Sequence, residues 1–175
     1  MDFAQNDFAE AKDLAKVQIK IDNIDAEYVD VITDEIFQKQ PFFLTVLLGY
    51  RLDTTLIELE EIMKIYFLIW EYFRNNTKVQ TIKVTEDHFE KIQDKNIAML
   101  QYADGELADV EKMKIYSSDL INLKSKALFT AVLFRYNERP VLLKMDERKR
   151  AIILIGIKSF IECFETINSQ KVRPR

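Results

Sequence analysis

The chain contains a single cysteine and a single histidine, the only residues that could form a thiol–imidazole pair for nucleophilic catalysis. Cys163 lies in the apolar stretch 160–164, where a free cysteine usually behaves as a small buried hydrophobic residue. His88 lies among acidic neighbours at the predicted start of a helix, which indicates a surface position. We therefore identify no catalytic residue, and the sequence leaves enzymatic activity open while favouring a protein without it.

Metal-binding patterns are the next chemistry to consider, because helical proteins often hold metal ions between their helices. A di-iron carboxylate site needs Glu-x-x-His pairs, but the residue three positions before His88 is Thr85. A structural zinc site needs four Cys or His ligands. Glu27, Asp30 and Asp34 would share one face of a helix, and a solvated acidic face is the simpler interpretation of that spacing. The sequence therefore predicts no metal site.

The three glycines, Gly49, Gly105 and Gly156, stand far apart along the chain. Phosphate-binding loops, dinucleotide-binding turns and nucleophile elbows all require clustered glycines, because the backbone must adopt positive φ or approach the ligand closely. None of these motifs can be written from isolated glycines. The sequence therefore predicts no cofactor.

A stripe of aromatic residues is the best candidate for a ligand pocket. Tyr66, Trp70 and Phe73 are spaced at i, i+4 and i+7, so they share one side of a predicted helix. Such a stripe could border a pocket for an apolar ligand between helices. Core packing is the competing interpretation, because each aromatic ring buries about 150–250 Å². The sequence favours core and keeps a small-molecule-binding bundle as an alternative function.

A basic region follows in the last third of the chain, and its five candidate partner-binding residues are Arg135, Arg139, Arg148, Lys149 and Arg150. The last three crowd the first turn of a predicted helix, where the helix dipole disfavours cations. We therefore expect an anionic partner, which could be an acidic part of the same chain, a second copy, an anionic metabolite or nucleic-acid phosphate.

The distribution of charge along the chain favours the first of these partners. Residues 1–62 carry 14 acidic and 5 basic side chains, whereas residues 116–175 carry 6 acidic and 12 basic ones. The two parts can attract each other within one fold or between copies. The net charge of −4 and the lack of a helix-turn-helix pattern disfavour nucleic acid, so a nucleic-acid-binding regulator using residues 135–150 is a further alternative only.

The elements that must position these residues are mostly helices. Residues 59–73, LEEIMKIYFLIWEYF, are apolar almost all the way round, which predicts a helix surrounded by other helices. Thr55 and Glu58 have the spacing of a capping box at the start of that helix, which we expect over residues 55–75. Pro41 should end one helix and begin a short one.

The remaining pattern predicts an all-α fold, a compact antiparallel helical bundle of five to seven helices. Further helices are expected over residues 24–40, 41–48, 86–103, 106–116, 119–136 and 147–167. One or two very short strands are possible, at residues 16–22, where a helix competes, and at residues 78–84. We expect one domain over residues 1–167, with 1–22 as an N-terminal arm or short helix and 168–175 as a disordered tail.

The leading functional hypothesis is a non-enzymatic interaction or scaffold protein that self-associates or binds a protein partner. It rests on the abundant apolar helix surface, on the charge distribution and on the lack of a recognisable catalytic pattern. The first residues do not form a signal peptide, and the longest apolar runs are far shorter than the roughly 20 residues needed to span a bilayer. We therefore expect a cytoplasmic protein of bacterial type with no membrane partner.

Overall fold

The computed structural model describes residues 5–105 and 122–169, and within those ranges it contains α-helices, one 3₁₀ turn and no strand. The prediction of an all-α fold is confirmed. The elements are α1 (Gln5–Asp22), α2 (Ala26–Lys39), α3 (Pro41–Gly49), the 3₁₀ turn (Tyr50–Leu52), α4 (Leu56–Phe73), α5 (Thr77–Thr81), α6 (Glu86–Gly105), α7 (Lys126–Glu138), α8 (Pro140–Leu143) and α9 (Glu147–Ser169).

Helix α4 is the element around which the others pack. Its capping box is present: the Glu58 amide donates to Thr55 Oγ1 at 3.3 Å, and the Thr55 amide donates to Glu58 Oε2 at 2.7 Å. Residues 65–70 are all completely buried. Helices α1, α3, α7, α8 and α9 contact α4, which confirms that this nearly all-apolar helix is surrounded by others.

The junction between α2 and α3 fixes a distant part of the chain. Pro41 begins α3 as expected, and the residue before it, Gln40, is completely buried. Gln40 Nε2 donates to the carbonyl oxygens of Val79 (2.6 Å) and Ile82 (2.7 Å), and Gln40 Oε1 accepts from the Val84 amide (2.9 Å). One buried amide thus satisfies three backbone groups that would otherwise be buried without partners.

Neither of the two expected strand-like segments is a strand. Residues 78–84 begin in α5, where the Asn76 side chain accepts from the amides of Lys78 and Val79. The backbone groups of Val79, Ile82 and Val84 that bond to Gln40 hold the rest of the segment. Residues 16–22 belong to the 18-residue helix α1, so the segment 1–22 is more than a loose arm. In this helix Leu14 and Ile21, seven residues apart, lie on the buried side, whereas Ile19 of the alternating segment is exposed.

The last third of the described chain departs from the predicted boundaries at three places. The predicted helix 119–136 is interrupted at residues 123–125, and α7 begins at Lys126, whereas residues 119–121 lie outside the described residues. The Ser125 amide, just before α7, donates to Glu165 Oε1 at 2.6 Å. Residues 140–143, where no helix is predicted, form the single-turn helix α8. Helix α9 continues to Ser169, so the first two residues of the expected tail are helical. The predicted helix 106–116 and residues 170–175 lie outside the described residues.

The hydrophobic core is built chiefly from aromatic and branched aliphatic side chains of the long helices. It extends from Leu14 on α1 to Ile167 on α9, and the ring of Phe160 contacts those of Phe43 and Phe89 at centroid distances of 4.8 and 4.3 Å. Over residues 5–105 and 122–169, no helix combines the length and the apolar character required to cross a membrane.

Candidate interaction surface

The aromatic stripe lies inside the core. Tyr66 and Trp70 are completely buried and Phe73 is nearly so. The ring of Tyr66 stacks on that of Phe43 with centroids 4.6 Å apart, and the ring of Phe73 contacts that of Phe164 at 5.2 Å. The three candidate ligand-binding residues therefore lie in the core as packing residues.

A pair of tyrosine hydroxyls is buried beside this stripe. Tyr66 Oη donates to Tyr50 Oη at 3.2 Å, and a Cβ atom added to Gly156 would lie only 2.3 Å from Tyr50 Oη. The glycine therefore makes room for the Tyr50 side chain. Burial raises the pKa of Tyr50 to about 12 and that of Tyr66 well above its ordinary value, so both hydroxyls stay protonated near neutral pH. The Trp70 indole Nε1 is also buried, without a hydrogen-bond partner in the described chain.

The two residues considered for nucleophilic chemistry are placed as structural residues. Cys163 is completely buried on α9, and burial raises the pKa of its thiol to about 12. A thiol with that pKa is almost entirely protonated near pH 7 and is a poor nucleophile. The His88 amide donates to Thr85 Oγ1 at 3.3 Å, which places this residue in the first turn of α6.

The basic region divides into two parts, of which the first is paired inside the molecule. The Arg135 side chain is only 3% exposed, and its Nη2 lies 2.8 Å from Asp22 Oδ1 and 3.4 Å from Glu61 Oε2. Arg139 Nη2 lies 2.5 Å from the same Asp22 oxygen, and Arg139 Nε lies 3.3 Å from Glu61 Oε2 without the alignment of a hydrogen bond. We call these four residues the inner arginine cluster, and both carboxylates belong to the acidic first part of the chain, as expected.

The second part of the basic region has no such carboxylate partner. Arg148, Lys149 and Arg150 occupy the first turn of α9, and none forms an ion pair with any described residue. Lys149 Nζ donates to the Asp53 carbonyl oxygen at 2.7 Å, and Arg150 Nη1 donates to that of Leu143 at 3.4 Å. The Lys149 bond places this cationic turn beside the loop that joins the 3₁₀ turn to α4.

That loop is bordered by a cluster of exposed apolar side chains, which we call the apolar end: Leu48, Leu52, Leu56 and Ile57. Leu52 is 89% exposed, and each of the other three is more than half exposed. They belong to the end of α3, the 3₁₀ turn and the first turn of α4, so they are close along the chain. Ile152, also exposed, lies three residues after Lys149 on α9.

Sequence reasoning missed the apolar end. The stretch from Pro41 to Ile62 contains more apolar residues than one side of two short helices can bury, and this excess was the available signal. The sequence analysis assigned these residues to two helices and the loop between them, because the pattern alone does not show which side chains remain outside.

A second exposed surface lies on α2, and we call it the outer α2 face: Glu27, Asp30, Val31, Asp34 and Phe37. The three carboxylates share one side of the helix as their spacing predicts, and none forms an ion pair in the described ranges. Val31 and Phe37 flank them and are 61% and 64% exposed. Nowhere in those ranges do three His, Cys, Asp or Glu side chains gather as ligands for a metal ion.

No protein-family model, curated protein or solved structure matches the chain. The class of protein is therefore defined by its own fold and surfaces. It is an all-α protein with an aromatic core, an apolar end that lies beside cations of α9, and an outer α2 face that carries carboxylates.

Proposed function

We propose that the chain is a non-enzymatic interaction protein that binds a protein through its apolar end. The observation that carries this proposal is the exposure of four neighbouring leucine and isoleucine side chains, with Leu52 at 89%. Single exposed apolar residues are common on monomeric proteins, whereas a contiguous group marks an interaction site.

The surroundings of the apolar end support a protein partner. Typical interfaces have an apolar centre and a polar rim. The centre here is formed by the leucine and isoleucine side chains, and the rim is formed by Arg51 and the cations in the first turn of α9. Rim charges select partners of opposite charge and speed their association. A partner with an acidic rim around an apolar patch is therefore the best match.

Site-specific photo-crosslinking in the cells that express the chain tests this function. A benzophenone amino acid replaces Leu52 in one variant, Leu56 in a second and Phe134 in a third. Phe134 is the matched control, because it is a similarly exposed apolar residue on α7. We expect a defined protein adduct from positions 52 and 56 that position 134 does not give, identified by mass spectrometry.

Two results would contradict the proposed function. One is the absence of a position-specific adduct at both Leu52 and Leu56. The other is an adduct that contains only nucleic acid, which would support a nucleic-acid-binding regulator instead. Circular dichroism of each purified variant establishes that it is folded.

A further inference from the structure

We propose that the partner of the apolar end is a second copy of this chain, which docks with its outer α2 face. Copies would then associate head to tail, because the two surfaces that meet are different. This inference rests on the proposed function and names the partner of that same site.

The outer α2 face has the composition that the apolar end requires of a partner. It carries the carboxylates of Glu27, Asp30 and Asp34 on an exposed stripe, with the side chains of Val31 and Phe37 on either side. The apolar end carries leucine and isoleucine side chains beside the cations of α9. Apolar surface would meet apolar surface, and negative charge would meet positive charge.

Within a single copy, the charges of neither surface form ion pairs with described residues. Ion pairs between described residues join the acidic and basic parts of the chain at the inner arginine cluster, where Arg135 and Arg139 share Asp22 and Glu61. The carboxylates of the outer α2 face and the cations of the first turn of α9 remain at the surface without ion pairs to described residues. These two surfaces therefore carry charges of opposite sign that no ion pair with a described residue takes up.

Charge also decides between head-to-tail docking and a symmetric pair of apolar ends. In a twofold contact the same patch meets itself, so the cations beside both apolar ends would gather at one contact without the carboxylates of an outer α2 face to pair with them. Like charges placed opposite each other oppose association. A contact between two different surfaces avoids this repulsion, and it produces either a closed ring or an open chain of copies.

Two double variants, each of which removes the apolar side chains of one surface, test the inference. Leu52→Ser with Leu56→Ser removes the apolar end and keeps the outer α2 face, whereas Val31→Ser with Phe37→Ser does the reverse. All four positions are exposed, so both variants should fold. Light scattering after size exclusion gives the molar mass of each variant alone and of an equimolar mixture.

We expect the wild type to exceed the mass of one copy as concentration rises and to return toward it at high salt, because salt screens surface charges. Each double variant alone should remain a single copy. Their mixture should form a pair and nothing larger, because only one complementary contact remains. Phe134→Ser, which alters neither surface, should assemble as the wild type does.

Two outcomes would overturn the inference. A wild type that stays a single copy at every concentration and salt would exclude self-association. If Val31→Ser with Phe37→Ser assembles as the wild type does, a symmetric contact between apolar ends is the correct description. In either case a specific crosslink from Leu52 would keep the proposed function, with another protein or the same surface of a second copy as the partner.

Discussion

Gly156 and Tyr50 show how one residue controls the packing at the centre of the molecule. Because Gly156 has no Cβ atom, the Tyr50 hydroxyl can approach the backbone of α9 and accept a hydrogen bond from Tyr66. Positive φ plays no part, because no glycine of the described chain has it. The requirement for glycine is therefore a matter of space.

Gly156→Ala should lower the free energy of unfolding by about 1–3 kcal/mol, because the added methyl group would overlap the Tyr50 hydroxyl. Urea denaturation measures the change. Gly49→Ala is the control: nothing lies within 4 Å of its added Cβ, so we expect little change or a gain of up to about 1 kcal/mol. Tyr50→Phe removes the overlapping oxygen and should make Gly156→Ala less costly. Equal costs of Gly156→Ala with and without the Tyr50 hydroxyl would contradict this explanation.

At the scale of elements, hydrogen bonds between polar side chains join helices and fix their relative positions. Glu71 on α4 forms such bonds: its Oε1 accepts from Lys20 Nζ of α1 at 2.8 Å, from Tyr28 Oη of α2 at 2.5 Å and from Arg74 Nη1 at 2.9 Å. Arg74 also pairs with Glu35 of α2. One carboxylate therefore sets the positions of three helices relative to one another.

The stability of the fold should depend on the ionisation of Glu71. Burial favours the neutral acid, but the hydrogen bonds from Lys20 and Tyr28 and the positive charges of Arg74 and Lys20 outweigh it, so the pKa of Glu71 lies below the ordinary value of 4.5. The folded state then binds this proton less readily than the unfolded state does. The stabilisation is complete above the ordinary pKa and is lost as the pH falls through the lowered one.

Glu71→Gln tests this dependence. We expect the variant to be less stable than the wild type at pH 7, and the difference between them to shrink as the pH falls toward 3, as followed by urea midpoints. Glu27→Gln, at an exposed position without an ion pair to described residues, should leave the profile unchanged. A constant difference between wild type and Glu71→Gln across this range would show that the charge of Glu71 is not the cause.

At the scale of the whole molecule, the charged side chains that form ion pairs between helices lie in a different place from those that do not. The inner arginine cluster joins α1, α4 and α7 through paired charges, of which Arg135 and Glu61 are largely buried and Asp22 and Arg139 are partly exposed. Charges without ion pairs to described residues remain at the surface, among them those of the outer α2 face and the cations in the first turn of α9.

The rate at which a reagent labels the Cys163 thiol should measure global unfolding of the core. A thiol reagent should fail to modify it in the native protein, because the side chain is completely buried and protonated. Labelling should follow global unfolding and accelerate with added urea. Thr166→Cys in a Cys163→Ala background places a thiol at an exposed position of the same helix and should react at once. Rapid labelling of native wild type would contradict this description of the core.

Several elements could be predicted because their signals are local. The capping box of Thr55 and Glu58 starts α4, Pro41 starts α3, and the apolar run through Tyr66 and Trp70 requires burial on every side. Each of these signals consists of residues that lie within, or directly beside, the element that they predict. The core position favoured for the aromatic stripe follows from the same run.

The partners of polar groups were decided by the tertiary structure. Gln40 fixes residues 79–84, Glu165 fixes the start of α7, and Asp22 with Glu61 pairs with Arg135 and Arg139, each across a sequence separation of at least 39. No local pattern encodes such distant pairs. For the same reason the sequence alone determined an all-α chain with an acidic beginning and a basic end, whereas only the packed fold decided which charges are paired inside and which apolar side chains stay outside.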